Sequence, residues 1–144
     1  MRRFLVDLNV VLDVLLERKP HAEAASALWA AVEQRRAEWF LPAHGFTTIH
    51  YLARRQRDSR FAQQVLADLT AVFRVAAVDE GVIRRAAGFG WADFEDAVCA
   101  AAAQASGCEA VVTRNLEHFE DSPVEAIDPT AALAWIGEAD AAPE

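Results

Sequence analysis

The chain of 144 residues carries 14 basic and 22 acidic side chains, a formal net charge of −8, and is 53% apolar and 25% charged. That length is one domain, apolar enough to bury a core, and the composition excludes both a disordered and a collagen-like chain. The acidic balance argues against a general basic coat for nucleic acid, because phosphate binding rests on Lys and Arg displacing counterions.

In chain order, Arg3 to Val6 predicts a short buried strand ending at Asp7. Val10 to Leu16 is apolar at helical spacing, and Pro20 separates it from a second helix over about His21–Arg36, with Ala24, Leu28, Ala31 and Val32 on one face. Glu38 to Pro42 follows as strand two, then helices over about Thr47–Arg57 and Ser59–Thr70, and a third strand over Val72–Ala76. Asp79 caps a short helix over Glu80–Ala87 that Gly88 is expected to close, and Gly88 to Trp91 forms a turn. Asp93 caps an Ala-rich helix reaching Ser106, stopped by Gly107. Glu109 to Val112 is strand four, running into Thr113, Arg114 and Asn115, and Val124 to Ile127 is a short fifth strand. Pro129 starts a last helix through Ile136, so the expected domain is 1–137, followed by a disordered tail over 138–144.

Strands alternating with helices over short connections predict an α/β fold, a parallel sheet of about four or five strands with helices on both faces. Ligands in such folds sit outside the carboxyl ends of the strands, where strand order reverses. Asp7 and Asn115 fall there.

Neither a membrane span nor a secretory signal is expected, since no apolar run is long enough. Cys99 and Cys108 lack zinc spacings and read as buried thiols of a reducing cytoplasm. Positive charge is almost all arginine, with Lys19 the only lysine. The run Arg54, Arg55, Arg57 and Arg60 suits a solvated face first, and second an RNA backbone track or a docking surface for an acidic peptide.

The chain has no Gly-rich phosphate loop, GxGxxG, HExxH or GxSxG. A phosphotransferase using an aspartate after strand one would want a second Asp where Asn9 stands and a downstream lysine. What remains is a set of acids at strand and helix ends: Asp7, Asp13, Asp93, Glu95 and Asp96. Hard divalent cations take carboxylate and amide oxygens, so Asp7, Asp96 and Asn115 would suit magnesium. Plainer roles stand beside this one. Asp93 and Asp96 fit a helix cap with an acid in its first turn, Asn115 fits an N-cap, and Asp13 fits a solvated helix position. His44, His50 and His118 lack the i, i+4 spacing of a helical metal pair and read as surface or satisfied histidines.

Three segments in order, Val6 to Asp13, Asp93 to Ala97 and Val112 to Phe119, resemble the PIN-domain family, small bacterial VapC-type toxins among them. The resemblance runs from about Phe4 to Ile136. It implies a three-layer PIN-like fold and a Mg2+- or Mn2+-dependent endoribonuclease, the toxin of a toxin–antitoxin pair. By position, Asp7 and Asp96 become metal ligands, with Asp93 beside them, and Asn115 stands where many members have Asp. Many members also carry a glutamate after strand two; here Thr48 is the best match, with His50 nearby. Asn9, Thr113 and Arg114 become substrate contacts. A small antitoxin covering the cleft and a homodimer through helices around Trp29 or Phe61 follow from the same resemblance. The neutral Thr48 and Asn115 keep a second expectation alive, a weakened or inactive PIN-like domain that binds RNA or a protein.

Overall fold

Side chains on a strand alternate between faces, and β1 (Arg3–Val6) uses both for burial: Phe4 and Val6 point into one apolar layer and Leu5 into the other. The structure, a computed structural model, describes residues 1–141. In it β1 is the central strand, parallel to β2 (Glu38–Pro42) on one side and β4 (Ala110–Val112) on the other. Leu5 lies level with Phe40 and with Val111. β3 (Arg74–Ala76) extends the sheet beyond β2, and β5 (Glu125–Ile127) beyond β4, giving the order β3-β2-β1-β4-β5 with every pairing parallel.

Among the described residues, seven α-helices cover this sheet. The face bearing Phe4, Trp39, Leu41 and Val112 is packed by α1 (Leu8–Leu15), α2 (Ala22–Glu33), α3 (Ala43–Gln56), α4 (Ser59–Val72) and α7 (Pro129–Ala141). The face bearing Leu5, Phe40 and Val111 is packed by α5 (Glu80–Phe89) and α6 (Phe94–Ala105). Ala97 to Ala103 of α6 are buried almost without a gap, and the small side chains let this helix lie close on the sheet. The fold is a three-layer α/β/α sandwich with a parallel five-stranded sheet.

Successive strands step from β1 outward to β3, then the chain returns to lay β4 and β5 on the other side of β1. The reversal therefore falls between β1 and β4, whose carboxyl ends open a crevice between diverging connections. Asp7 and Thr113 are the residues that follow those two ends.

Several boundaries differ from expectation for local reasons. α1 starts at Leu8, since Asp7 itself is the N-cap. α3 starts at Ala43, four residues early: Pro42 is its N-cap with an extended backbone (φ −64°, ψ 144°), and Gly45 is buried in the first turn within van der Waals reach of Leu41 and Leu8. Val72 completes α4 instead of opening β3. Gly88 lies inside α5, and the helix ends at Gly90, whose φ of +69° is the left-handed stop. After β4 the chain forms only a 3-10 turn, Leu116–Phe119, and Asn115 makes no side-chain capping bond there. α7 continues past Ile136 to Ala141; the end of the expected disordered tail, 142–144, lies outside the described residues.

Candidate active site

Asp7 is fully buried, and both its oxygens are held. Oδ1 accepts the Asn9 backbone N–H at 3.2 Å, the capping bond of α1, and Oδ2 accepts the Thr113 hydroxyl at 3.0 Å. The Thr113 oxygen in turn accepts the Asn115 N–H at 3.1 Å, so a short hydrogen-bond chain crosses the β1–β4 seam. Burial pushes the Asp7 carboxyl up to about 6, with Asp96 adding repulsion, while the bonds from Asn9 and Thr113 and the charge of Arg114 pull the other way.

The second group comes from the first turn of α6. Asp93 is its N-cap, accepting the Asp96 N–H at 3.1 Å. Asp96 is buried, and its Oδ2 lies 2.8 Å from His118 Nδ1. Burial raises Asp96, an effect the His118 contact opposes; that same contact raises His118. Glu95 is half-buried and pushed up to about 6 by burial and then by the charges of Asp7, Asp93 and Asp96. One turn on, burial drives the Cys99 thiol far above its ordinary range, which leaves it a neutral, packed sulfhydryl. Four carboxylates from two elements thus repel one another at the crevice, and a cleft of about 740 Å³ opens beside Asp93, Phe94 and His118.

On the other flank, Asp13 is buried and meets Arg114 Nε at 3.1 Å and Arg18 Nη1 at 3.8 Å. This corrects the solvated position expected for Asp13: α1 turns this side chain toward the loop after β4. Arg18 also reaches Asn9 Oδ1 at 3.4 Å. A smaller cleft of about 260 Å³, lined by Asp13, His21, Arg114 and Asp128, lies here.

A family model described as PIN domain matches residues 3–117. The chain belongs to the PIN-domain family. No curated protein sequence matches it. Solved structures share its fold at low identity. The Mycobacterium tuberculosis VapC20 toxin, described as cleaving the sarcin–ricin loop, is 18% identical with a TM-score of 0.66, covering 82% of this chain and 94% of that one. VapBC-1 of nontypeable Haemophilus influenzae is 13% identical with a TM-score of 0.68, over 89% and 98% of the two chains. FitAcB of Neisseria gonorrhoeae is 22% identical with a TM-score of 0.64, over 88% and 98%.

In this PIN domain the donors at the crevice fit a divalent cation. Carboxylates crowded at a strand end and a helix start, two of them buried, are the hard oxygen set such an ion takes, and its charge would relieve their repulsion. Thr48 is different: its hydroxyl donates to the His44 carbonyl oxygen of its own helix at 3.2 Å. Asn115 is half-buried and reaches the site through its backbone N–H. Glu95 is named among the candidate acids without a ligand role, and His118, read as a surface or satisfied histidine, is exposed and paired with Asp96. Glu95 stands next to Asp96 and could have been weighed with it. His118 carries no local signal, since its partner lies on another element. His44 is half-buried, and burial lowers its pKa. The arginines of α3 and α4 lie on an exposed face, with Arg57 over the Phe61 ring at 4.7 Å. No described helix is long and apolar enough to cross a membrane.

Proposed function

We propose that this PIN domain is a divalent-metal-dependent endoribonuclease, the toxin half of a toxin–antitoxin pair. One observation carries the proposal: Asp7 from the end of β1 and Asp96 from the start of α6 are buried, charge-coupled carboxylates at the switch point of the sheet. Asp7 and Asp96 would hold Mg2+ or Mn2+, with Asp93 beside them. Bound there, such an ion supplies Lewis acidity toward the phosphodiester and lowers the pKa of a water.

The chain's own residues have separable tasks. Thr113 keeps Asp7 oriented through its hydroxyl. Asn115 would offer a neutral amide to water or to a phosphate oxygen, and Arg114, whose Nε faces Asp13, would offer its guanidinium to phosphate. Asn9 stays beside the strand end through its N–H on Asp7. A small antitoxin would bind over the cleft, a reading supported by the fold shared with a toxin–antitoxin complex from Klebsiella pneumoniae, and a homodimer would form through the helices around Trp29 or Phe61.

A second proposal rests on the neutral residues at positions 48 and 115, of which Thr48 bonds its own helix: a PIN domain that binds RNA or a protein without cutting. The two are separated by incubating structured and single-stranded RNA with the purified protein in Mg2+, Mn2+ or EDTA, beside Asp7→Asn and Asp96→Asn variants of matched folding. Metal-dependent cutting that both variants lose supports the nuclease. No cutting in any metal by folded protein favours the binding module, and equal cutting by both variants overturns the site.

A further inference from the structure

We infer that His118 is a direct ligand of a cation at Asp96, a mixed nitrogen–oxygen site completed by Asp93, distinct in its donors from the Asp7–Asp96 pair and preferring Mn2+ to Mg2+. A ring nitrogen of His118 and one carboxylate oxygen from each aspartate lie within 4.8 Å of one another. Ligand atoms about 2.0–2.2 Å from one ion stand roughly 3–4 Å apart, so a single ion fits among the three with small side-chain rotations. The shortest contact is 2.8 Å, between His118 Nδ1 and Asp96 Oδ2, and His118 Nε2 lies 3.8 Å from Glu117 Oε1. With the ring proton on Nε2, toward Glu117, the Nδ1 lone pair and the Asp96 carboxylate both face an ion.

The imidazole arrives from a different element than the carboxylates, and its approach is built by packing. The 3-10 turn buries Phe119, which meets Trp91 edge-on at 5.6 Å, and Trp91 stacks on Phe89 at 5.3 Å. This aromatic row ties the turn to the loop that precedes α6, leaving His118 over the first turn of that helix. The cleft of about 740 Å³ opens on Asp93 and His118, so the remaining coordination positions face water or substrate.

Donor chemistry decides which ion is favoured. Mg2+ takes oxygen almost exclusively and gives up water reluctantly, whereas first-row transition ions accept imidazole readily. Mn2+ accepts both kinds of donor, and the nitrogen of His118 supplies a ligand in a site where positions 48 and 115 offer no carboxylate. The inference rests on the metal-nuclease proposal for its biological meaning, but its test reads coordination.

The experiment uses the full chain, stripped with EDTA. Calorimetric titration with Mn2+ and with Mg2+ is paired with pulsed electron paramagnetic resonance of the Mn2+ form, for the parent and for His118→Ala, His118→Asp and His50→Ala. We expect Mn2+ to bind at least tenfold more tightly than Mg2+, with the echo modulation of a coordinated imidazole nitrogen. His118→Ala should lose the modulation and most of the Mn2+ preference, while His50→Ala keeps both. His118→Asp should still bind a cation, with the two affinities brought within about threefold, which excludes simple misfolding. Mn2+ bound without nitrogen modulation, or modulation that persists in His118→Ala, overturns the inference, as does equal affinity for the two ions. If RNA is cut while these signs are absent, the nuclease proposal survives and this one does not; nitrogen-ligated Mn2+ without RNA cutting sustains this one and sinks the other.

Discussion

Thr113 donates its hydroxyl to Asp7 at 3.0 Å while accepting the Asn115 N–H, so one buried side chain links the ends of β1 and β4. Replacing it by Val keeps the shape but leaves Asp7 Oδ2 and the Asn115 N–H without this partner. A buried polar group left unpaired costs about 1–3 kcal/mol. Thr113→Val should therefore lower stability by about 2 kcal/mol in urea titration, and Thr113→Ser should recover most of it. Because the lost bond favours ionised Asp7, the deficit should be greater at pH 8 than at pH 4. A deficit that is the same at both pH values would refute the role given to the hydroxyl.

Asp7 itself should destabilise the metal-free fold at neutral pH. Burial raises its carboxyl from 3.8 to about 6, so between those values the native state binds more protons than the unfolded chain. Stability contributed by this group is then greatest below pH 3.8 and falls as pH rises through about 6, an effect on the order of 3 kcal/mol when complete. Asp7→Asn removes the effect. In EDTA the variant should melt several degrees above the parent at pH 7, with the gap narrowing toward pH 4; a parent that is the more stable protein at pH 7 would contradict this.

Arg114 and Asp13 form an ion pair in which only the carboxylate is buried, and removing both should cost less than the sum of removing each. Arg114→Ala leaves the buried Asp13 carboxylate with only the longer Arg18 contact and should cost about 1–3 kcal/mol, while Arg114→Ala with Asp13→Asn should cost less than the sum of the single changes. If Arg114 also meets phosphate, Arg114→Ala on an Asp96→Asn background should weaken RNA binding and reduce the salt slope by about 1. Additive single and double variants in a denaturation cycle would show that the pair is not coupled.

Two glycines near α5 should respond to alanine with opposite signs. Gly88 lies within the helix with nothing near its missing Cβ, so Gly88→Ala should stabilise by about 0.5–1 kcal/mol. Gly90 has equal space but a φ of +69°, where an L side chain is strained, and Gly90→Ala should destabilise by about 1 kcal/mol. Thermal melts of the two variants check the sign directly, and a stabilising Gly90→Ala would show that the helix does not end there.

The strands and most helices are legible in the chain because their signals are local: apolar runs in β1 and β4, spacing in α4, and Asp79 and Asp93 as caps. Expectation and structure part where a local signal has two meanings. Gly88 looked like a stop but is an interior helical residue, and the helix expected from about Thr47 starts at Ala43, behind the extended Pro42. Asp13 looked solvated because helical position alone does not reveal Arg18 and Arg114.

By itself, the amino-acid sequence determined the order of elements and hence the parallel sheet, and it put Asp7 at a strand end and Asp93, Glu95 and Asp96 at a helix start. Those features depend on neighbours a few residues away, through backbone periodicity and capping. Only the tertiary structure decided which groups face them: Thr113 on Asp7 across 106 positions of chain, His118 on Asp96 across 22, and Arg114 on Asp13. The physical reason is that burial and electrostatic coupling depend on distance in space, and the strand order that brings β4 beside β1 sets that distance.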